Sequence, residues 1–146
     1  MTSGTQSSSG DGVTSMIRQC QAGKPDLRRR FRLGTWNVLT LTGVGYQTSL
    51  VRELARVDVS IAGITECRIP GSGMRKVEDG LILHSGGEQR TNGVALVLRE
   101  PFDRALLSWQ PISDRIVQGR IAHRHGNLTI FVAYAPTEVP GDAVKR

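Results

Sequence analysis

The pattern of apolar and polar positions divides the chain near residue 31. The run 31-FRLGTWNV-38 alternates in character and is rich in β-formers, which predicts a first strand. The stretch 39-LTLTGVG-45 reads as a polar, glycine-containing loop. In 47-QTSLVRELARV-57, Leu50, Val51, Leu54 and Val57 recur at i, i+1, i+4 and i+7, the apolar stripe of an amphipathic helix. A second strand, 58-DVSIAGIT-65, follows at once, and joints this short predict a right-handed parallel crossover.

Beyond residue 68 the texture changes. The segment 69-IPGSGMRKVEDG-80 reads as a Gly-rich loop. Short apolar runs follow at 81-LILHS-85, 93-GVALVL-98, 104-RALLSWQ-110, 115-RIVQGRIAHR-124 and 128-LTIFVAYA-135. Turn signals at Gly86-Gly87, Asn92-Gly93 and Gly126-Asn127 separate most of them, which predicts an antiparallel meander. The fold class expected is therefore α/β, a mixed β-sheet with a flanking helix. A single helix covers little of so long a meander, so the pattern predicts a second face left bare.

Composition narrows the function classes. No apolar run approaches the roughly 20 residues of a membrane-spanning helix. The N-terminus lacks the basic start and apolar block of a secretory signal. Cys20 and Cys67 are too few for a disulfide scaffold, which points to a reducing, intracellular compartment. Residues 1–15 hold eleven Ser, Thr or Gly, a composition expected to stay disordered, so residues 1–30 read as a disordered basic leader and 31–146 as the folded part.

The net charge of +6 is unevenly placed. Residues 1–32 carry six Lys or Arg against two Asp, while residues 33–146 carry thirteen against eleven acids. The cluster 28-RRRFR-32 has two readings, a nuclear-localisation or phosphate-contacting patch and a solvated run leading into a strand. Sixteen of the 19 basic residues are Arg, whose planar fork suits phosphate, though genome composition produces the same bias.

Polar residues at the carboxyl ends of core strands gather where ligands bind in α/β folds. Asn37 closes the first strand, Glu66 the second, and Tyr134 with Thr137 the last. A carboxylate, an amide and a phenol converging from separate strands suit a hard cation and a phosphate. Each also has an ordinary structural reading: Asn37 as a turn cap, Glu66 as a surface carboxylate beside Arg68, Tyr134 as an inward residue on the Leu128, Ile130, Val132 face.

The succession 34-GTWNVLTL-41, 62-AGITECRI-69, 92-NGVALVL-98, 113-SDRIVQGRI-121 and 128-LTIFVAYAPTE-138 resembles the endonuclease/exonuclease/phosphatase superfamily, and within it the endonuclease domains of non-LTR retrotransposons. The resemblance covers roughly residues 31 to 140. It implies a DNase I-like sandwich of two mixed sheets, of which this chain would supply the N-terminal half, truncated, with the second sheet missing and marginal stability as a result. It implies hydrolysis of DNA phosphodiester bonds with Mg²⁺, Mn²⁺ serving in its place. Glu66 and Asn37 match the metal-site residues, Tyr134 the tyrosine that hydrogen-bonds the scissile phosphate, and Thr137 a substrate-contacting position where many relatives carry asparagine. A DNA partner, in turn, favours a nuclear over a cytoplasmic location.

The departures from the family pattern bear on activity. Neither the Gly-Asp-x-Asn segment nor the terminal Ser-Asp-His occurs in the 146 residues. The 113-SDR-115 triplet lies before the tyrosine segment and has Arg where His is required, and Gly141-Asp142 lacks the asparagine. His84, His123 and His125 read as surface or turn residues. The chain is thus expected to be catalytically incomplete alone. Two other readings stand beside it, a non-catalytic nucleic-acid-binding fragment using 28-RRRFR-32 and the Arg-rich meander for phosphate contacts, and a phosphoesterase acting on inositol phosphates or sphingolipids.

Overall fold

A computed structural model describes residues 30–135. The expectations for the leader, Cys20, Thr137 and Gly141-Asp142 fall outside the described residues. Strand β1 (Arg32–Asn37) passes through helix α1 (Val44–Arg56) to strand β2 (Val59–Thr65), and the two strands pair in parallel, Leu33 opposite Ile61 and Asn37 opposite Thr65. This is the crossover the pattern predicted. The helix starts three residues before the apolar stripe suggested, because Gln47 is itself buried: its Nε2 donates to the Leu41 carbonyl at 2.9 Å. That bond draws Leu41, expected in a polar loop, into the core at 1% exposure.

The segment expected to be a Gly-rich loop is instead strand β3 (Ser72–Val77), hairpinned to β4 (Gly80–Ser85). Glycines and charges argued for a loop, but an edge strand accommodates both, and Arg75 and Lys76 blunt the edge against further pairing. Strand β5 (Val94–Arg99) pairs antiparallel with both β4 and β2, giving a mixed five-stranded sheet in the order β1-β2-β5-β4-β3. All six residues of β4 and the first five of β5 are buried, as continuous apolar runs in a strand covered on both faces should be.

The larger correction concerns what covers that sheet. The expectation of one sheet with a bare face fails, because the meander leaves the first sheet after β5. A short 3-10 turn at Asp103–Ala105 leads into β6 (Leu106–Ser113), β7 (Ile116–His123) and β8 (Gly126–Ala133), a separate antiparallel sheet ordered β6-β7-β8. It folds back over the first. Leu106, Val117, Ile121 and Val132 of the second sheet pack against Ile61, Leu83, Leu96 and Leu98 of the first. On the opposite face Leu50, Val51 and Leu54 of α1 pack against Ala62, Ile64, Ile82 and Val97. The architecture is mixed α/β, helix on five-stranded sheet on three-stranded sheet, and the partner once expected to be missing is partly present. Gly119 permits the close approach of the sheets, since a Cβ there would lie 2.5 Å from Leu96 Cδ2.

Candidate functional site

The carboxyl ends of β1, β2 and β8 lie at one end of the sandwich. In the first sheet a row runs across the strands through Asn37, Thr65, Val94 and Ser85, set by the pairing register. In the second, Ile116 pairs with Ala133, so β7 begins where β8 ends. Side chains and loops join the two sheets at this end: Ser85 Oγ donates to the Ser113 carbonyl, and the Gly93 N–H donates to the Asp114 carbonyl at 3.0 Å.

Glu66 and Tyr134, singled out from the sequence, are brought into contact. Tyr134 Oη donates to Glu66 Oε1 at 2.7 Å across the mouth between the sheets. The hydrogen bond to this carboxylate, more than burial, raises the Tyr134 hydroxyl above its ordinary value near 10, while Arg115 and Arg68 pull the other way. The phenol is thus held protonated as a donor. Asn37 stands beside them, one register position from Glu66 through Thr65, exposed and with no side-chain hydrogen bond to another described residue. Its β1 neighbours Leu33 and Thr35 share its face and line a groove of about 510 Å³ between β1, β2 and β8. Of the sequence candidates, the structure brings Glu66 and Tyr134 into contact and places Asn37 at the neighbouring strand end, opposite Thr65; Thr137 lies beyond the described residues.

The backbone that presents Glu66 is unusual. Glu66, Arg68 and Asn92 all adopt left-handed φ values, 57°, 55° and 51°. Each such non-glycine residue costs roughly 1–3 kcal/mol and persists where surrounding bonds fix it. Here they do: the Cys67 N–H donates to the Gly93 carbonyl at 3.1 Å and the Arg68 N–H to the Asn92 carbonyl at 2.8 Å. Asn92 Nδ2 in turn donates to Asp114 Oδ2 at 3.2 Å. The Asn92-Gly93 pair, read from the sequence only as a turn, is thus the knot that ties the end of β2 to the β6–β7 turn. Gly93 is required there, since its φ is 91° and a Cβ would sit 3.1 Å from the Arg68 nitrogen.

The 113-SDR-115 triplet has an unforeseen position. It forms the β6–β7 turn, and the Arg115 carbonyl accepts from the Tyr134 N–H at 2.9 Å, so Arg115 borders the Glu66–Tyr134 pair. Arg68, which neighbours Glu66 in sequence, forms no ion pair with a described carboxylate, and neither does Arg115; both are exposed. The intervening Cys67 is 1% exposed, and burial pushes its thiol up to about 12, so it packs rather than reacts.

Of the histidines, His123 and His125 sit at the β7–β8 hairpin, at the far end of β8 from Tyr134, as a turn reading expects. His84 departs from it. At 5% exposure it is buried on β4, its Nδ1 3.2 Å from the Gly71 carbonyl.

Among the described residues no three His, Cys, Asp or Glu side chains come together as a metal-ligating group. A cation at this end would therefore rest on Glu66, whose Oε1 already accepts from Tyr134, with the Asn37 amide and water completing its shell. That donor set is all oxygen with one carboxylate, the kind that holds a hard divalent cation only weakly.

No established family profile matches the chain. It is similar to craniofacial development protein 2 of Bos taurus, 30% identical over 127 residues, which make up 86% of this chain and 20% of that protein. It is equally similar to craniofacial development protein 2 of Tragulus javanicus, 30% identical over 111 residues, 75% of this chain and 19% of that protein. The chain thus spans about a fifth of the length of these curated relatives, and homology to proteins of this name covers most of it.

Proposed function

We propose that the chain is part of a Mg²⁺-dependent endonuclease of the endonuclease/exonuclease/phosphatase superfamily that hydrolyses DNA phosphodiester bonds, and that these 146 residues do not complete the reaction alone. The observation that carries the reading is the contact between Glu66 and Tyr134. The two residues matched to that superfamily's metal-binding carboxylate and phosphate-binding phenol come from different sheets, 68 positions apart, and meet at 2.7 Å beside Asn37.

In this reading Glu66 and Asn37 hold the cation, which when bound supplies Lewis-acid polarisation of a phosphoryl oxygen. The Tyr134 hydroxyl, whose one proton goes to Glu66 in the free chain, would turn that proton to a non-bridging phosphate oxygen once Glu66 is taken up by the cation, rather than acting as a base. The Asn37 amide, unengaged by other described side chains, donates to the same group. What the sequence lacks is a residue to activate the attacking water, since the Gly-Asp-x-Asn and Ser-Asp-His segments are absent. Positioning without that base leaves little rate.

The test has two parts on the full chain. Mn²⁺ titration followed by NMR is expected to broaden the signals of Asn37, Glu66 and Tyr134 first, and to lose that selectivity in Glu66→Gln. Broadening that ignores these residues, or persists unchanged in Glu66→Gln, overturns the metal assignment. Supercoiled plasmid incubated with the chain and Mg²⁺ is expected to remain intact, and nicking abolished by Glu66→Ala would show that the half-site suffices.

A further inference from the structure

We propose that Arg68 and Arg115 form an anion clamp on either side of the Glu66–Tyr134 pair and hold the DNA backbone phosphate there. The inference rests on the DNA reading above and adds two binding residues that the family resemblance did not assign.

The two arginines reach the same place from different sheets. Arg68 follows β2, two residues after Glu66, in a left-handed conformation fixed by its N–H bond to the Asn92 carbonyl at 2.8 Å. Arg115 lies in the β6–β7 turn, where its own carbonyl receives the Tyr134 N–H at 2.9 Å. Their backbones flank the pair, Arg68 two residues beyond Glu66 and Arg115 hydrogen-bonded to Tyr134, at the end proposed to meet phosphate. Four other arginines are held in ion pairs, Arg52 with Glu78 at 2.7 Å, Arg56 with Glu53 at 2.9 Å, Arg99 with Asp79 at 3.1 Å and Arg104 with Glu100 at 2.7 Å, while Arg75 on the far edge is in none among the described residues. Arg68 and Arg115 carry no such pair with a described carboxylate.

Two carboxylates at this end accept from neutral donors. Glu66 accepts from Tyr134 through Oε1, and Asp114 accepts from Asn92 through Oδ2. Arg68 and Arg115 are both exposed at the end that carries the Glu66–Tyr134 pair, and a guanidinium fork suits the charge and hydrogen-bond geometry of a phosphodiester. The strained loops explain why the positions are fixed, since the knot at Asn92-Gly93 that shapes Arg68 also holds the turn bearing Arg115.

The experiment is binding of a short fluorescein-labelled DNA duplex to the full chain, by anisotropy, in EDTA so that no divalent cation or hydrolysis contributes. Arg68→Gln and Arg115→Gln are each expected to weaken binding roughly tenfold. The double substitution is expected to flatten the slope of log K against log salt by about 0.9, the loss of one neutralised phosphate. Arg75→Gln, an exposed arginine on the far edge strand β3, serves as the control. If the double variant loses no more affinity or slope than Arg75→Gln, or if the unaltered chain binds no more tightly than the double variant, the clamp is overturned. Because this readout needs no metal, it separates from the Mn²⁺ test: loss of binding without metal localisation keeps the clamp and removes the hydrolase reading.

Discussion

Glu66 is both the proposed metal ligand and the acceptor that holds Tyr134, so its state is legible in a second residue. The bond from Tyr134 Oη raises the pKa of the phenol because ionising it would place two negative oxygens 2.7 Å apart. A group whose proton is held more tightly in the folded state contributes stability below its ordinary value, here near 10, and loses it as pH rises through the raised value. Spectrophotometric titration is therefore expected to show Tyr134 ionising at lower pH in Glu66→Gln than in the unaltered chain, and alkaline unfolding to shift the same way. An unchanged Tyr134 titration would mean the bond does not persist in solution. At this scale the sequence was informative where the signal is a residue type at a strand end, as for Asn37, Glu66 and Tyr134. It set Arg115 aside with the non-matching 113-SDR-115 triplet, since a turn from the other sheet reaches the site only through three-dimensional closure.

Element by element, the legible parts were those whose periodicity is local. The α1 stripe and the continuous apolar runs of β4 and β5 report burial on one or two faces, and each element formed at the predicted place in the chain, with the helix shifted toward the N-terminus by up to three residues. Strand β3 was missed because an edge strand needs few apolar residues. The departure of β6–β8 into a second sheet was missed because alternation in β7 has the same period whichever sheet the strand joins. What the sequence does carry is the small residue that the second layer requires. Gly119 on β7 lies against Leu96 in β5, with Leu83 of β4 next to it, and Leu96 and Leu83 are each 0% exposed, leaving no space for the displaced methyl. Gly119→Ala is expected to destabilise the fold by about 1–3 kcal/mol through overpacking, despite alanine's lower backbone entropy cost. Chemical denaturation measures this directly, and a neutral or stabilising Gly119→Ala would place the sheets farther apart than described.

For the whole molecule, the two sheets close on each other at the centre and diverge at one side. Strand β1 is the edge of the five-stranded sheet and β8 the edge of the three-stranded one, and the groove of about 510 Å³ opens between them. Leu33, facing that groove, is 61% exposed, whereas its register partner Ile61 is 0% exposed. The apolar surface expected to run across the entire inner face is thus confined to this side. Stability should follow the same gradient. Leu33→Lys removes little buried surface and is expected to change stability by no more than about 0.5 kcal/mol, while Leu96→Ala at the closed centre is expected to cost about 2–5 kcal/mol. Amide hydrogen exchange should rank the strands accordingly, slowest in β5 and β7, each flanked on both sides, and fastest in β1 and β8, whose outer amides have no strand partner among the described residues. Exchange in β1 as slow as in β5 would require that a further strand pairs along that edge in solution, and sedimentation at several concentrations would then decide whether it comes from a second copy or from the chain itself.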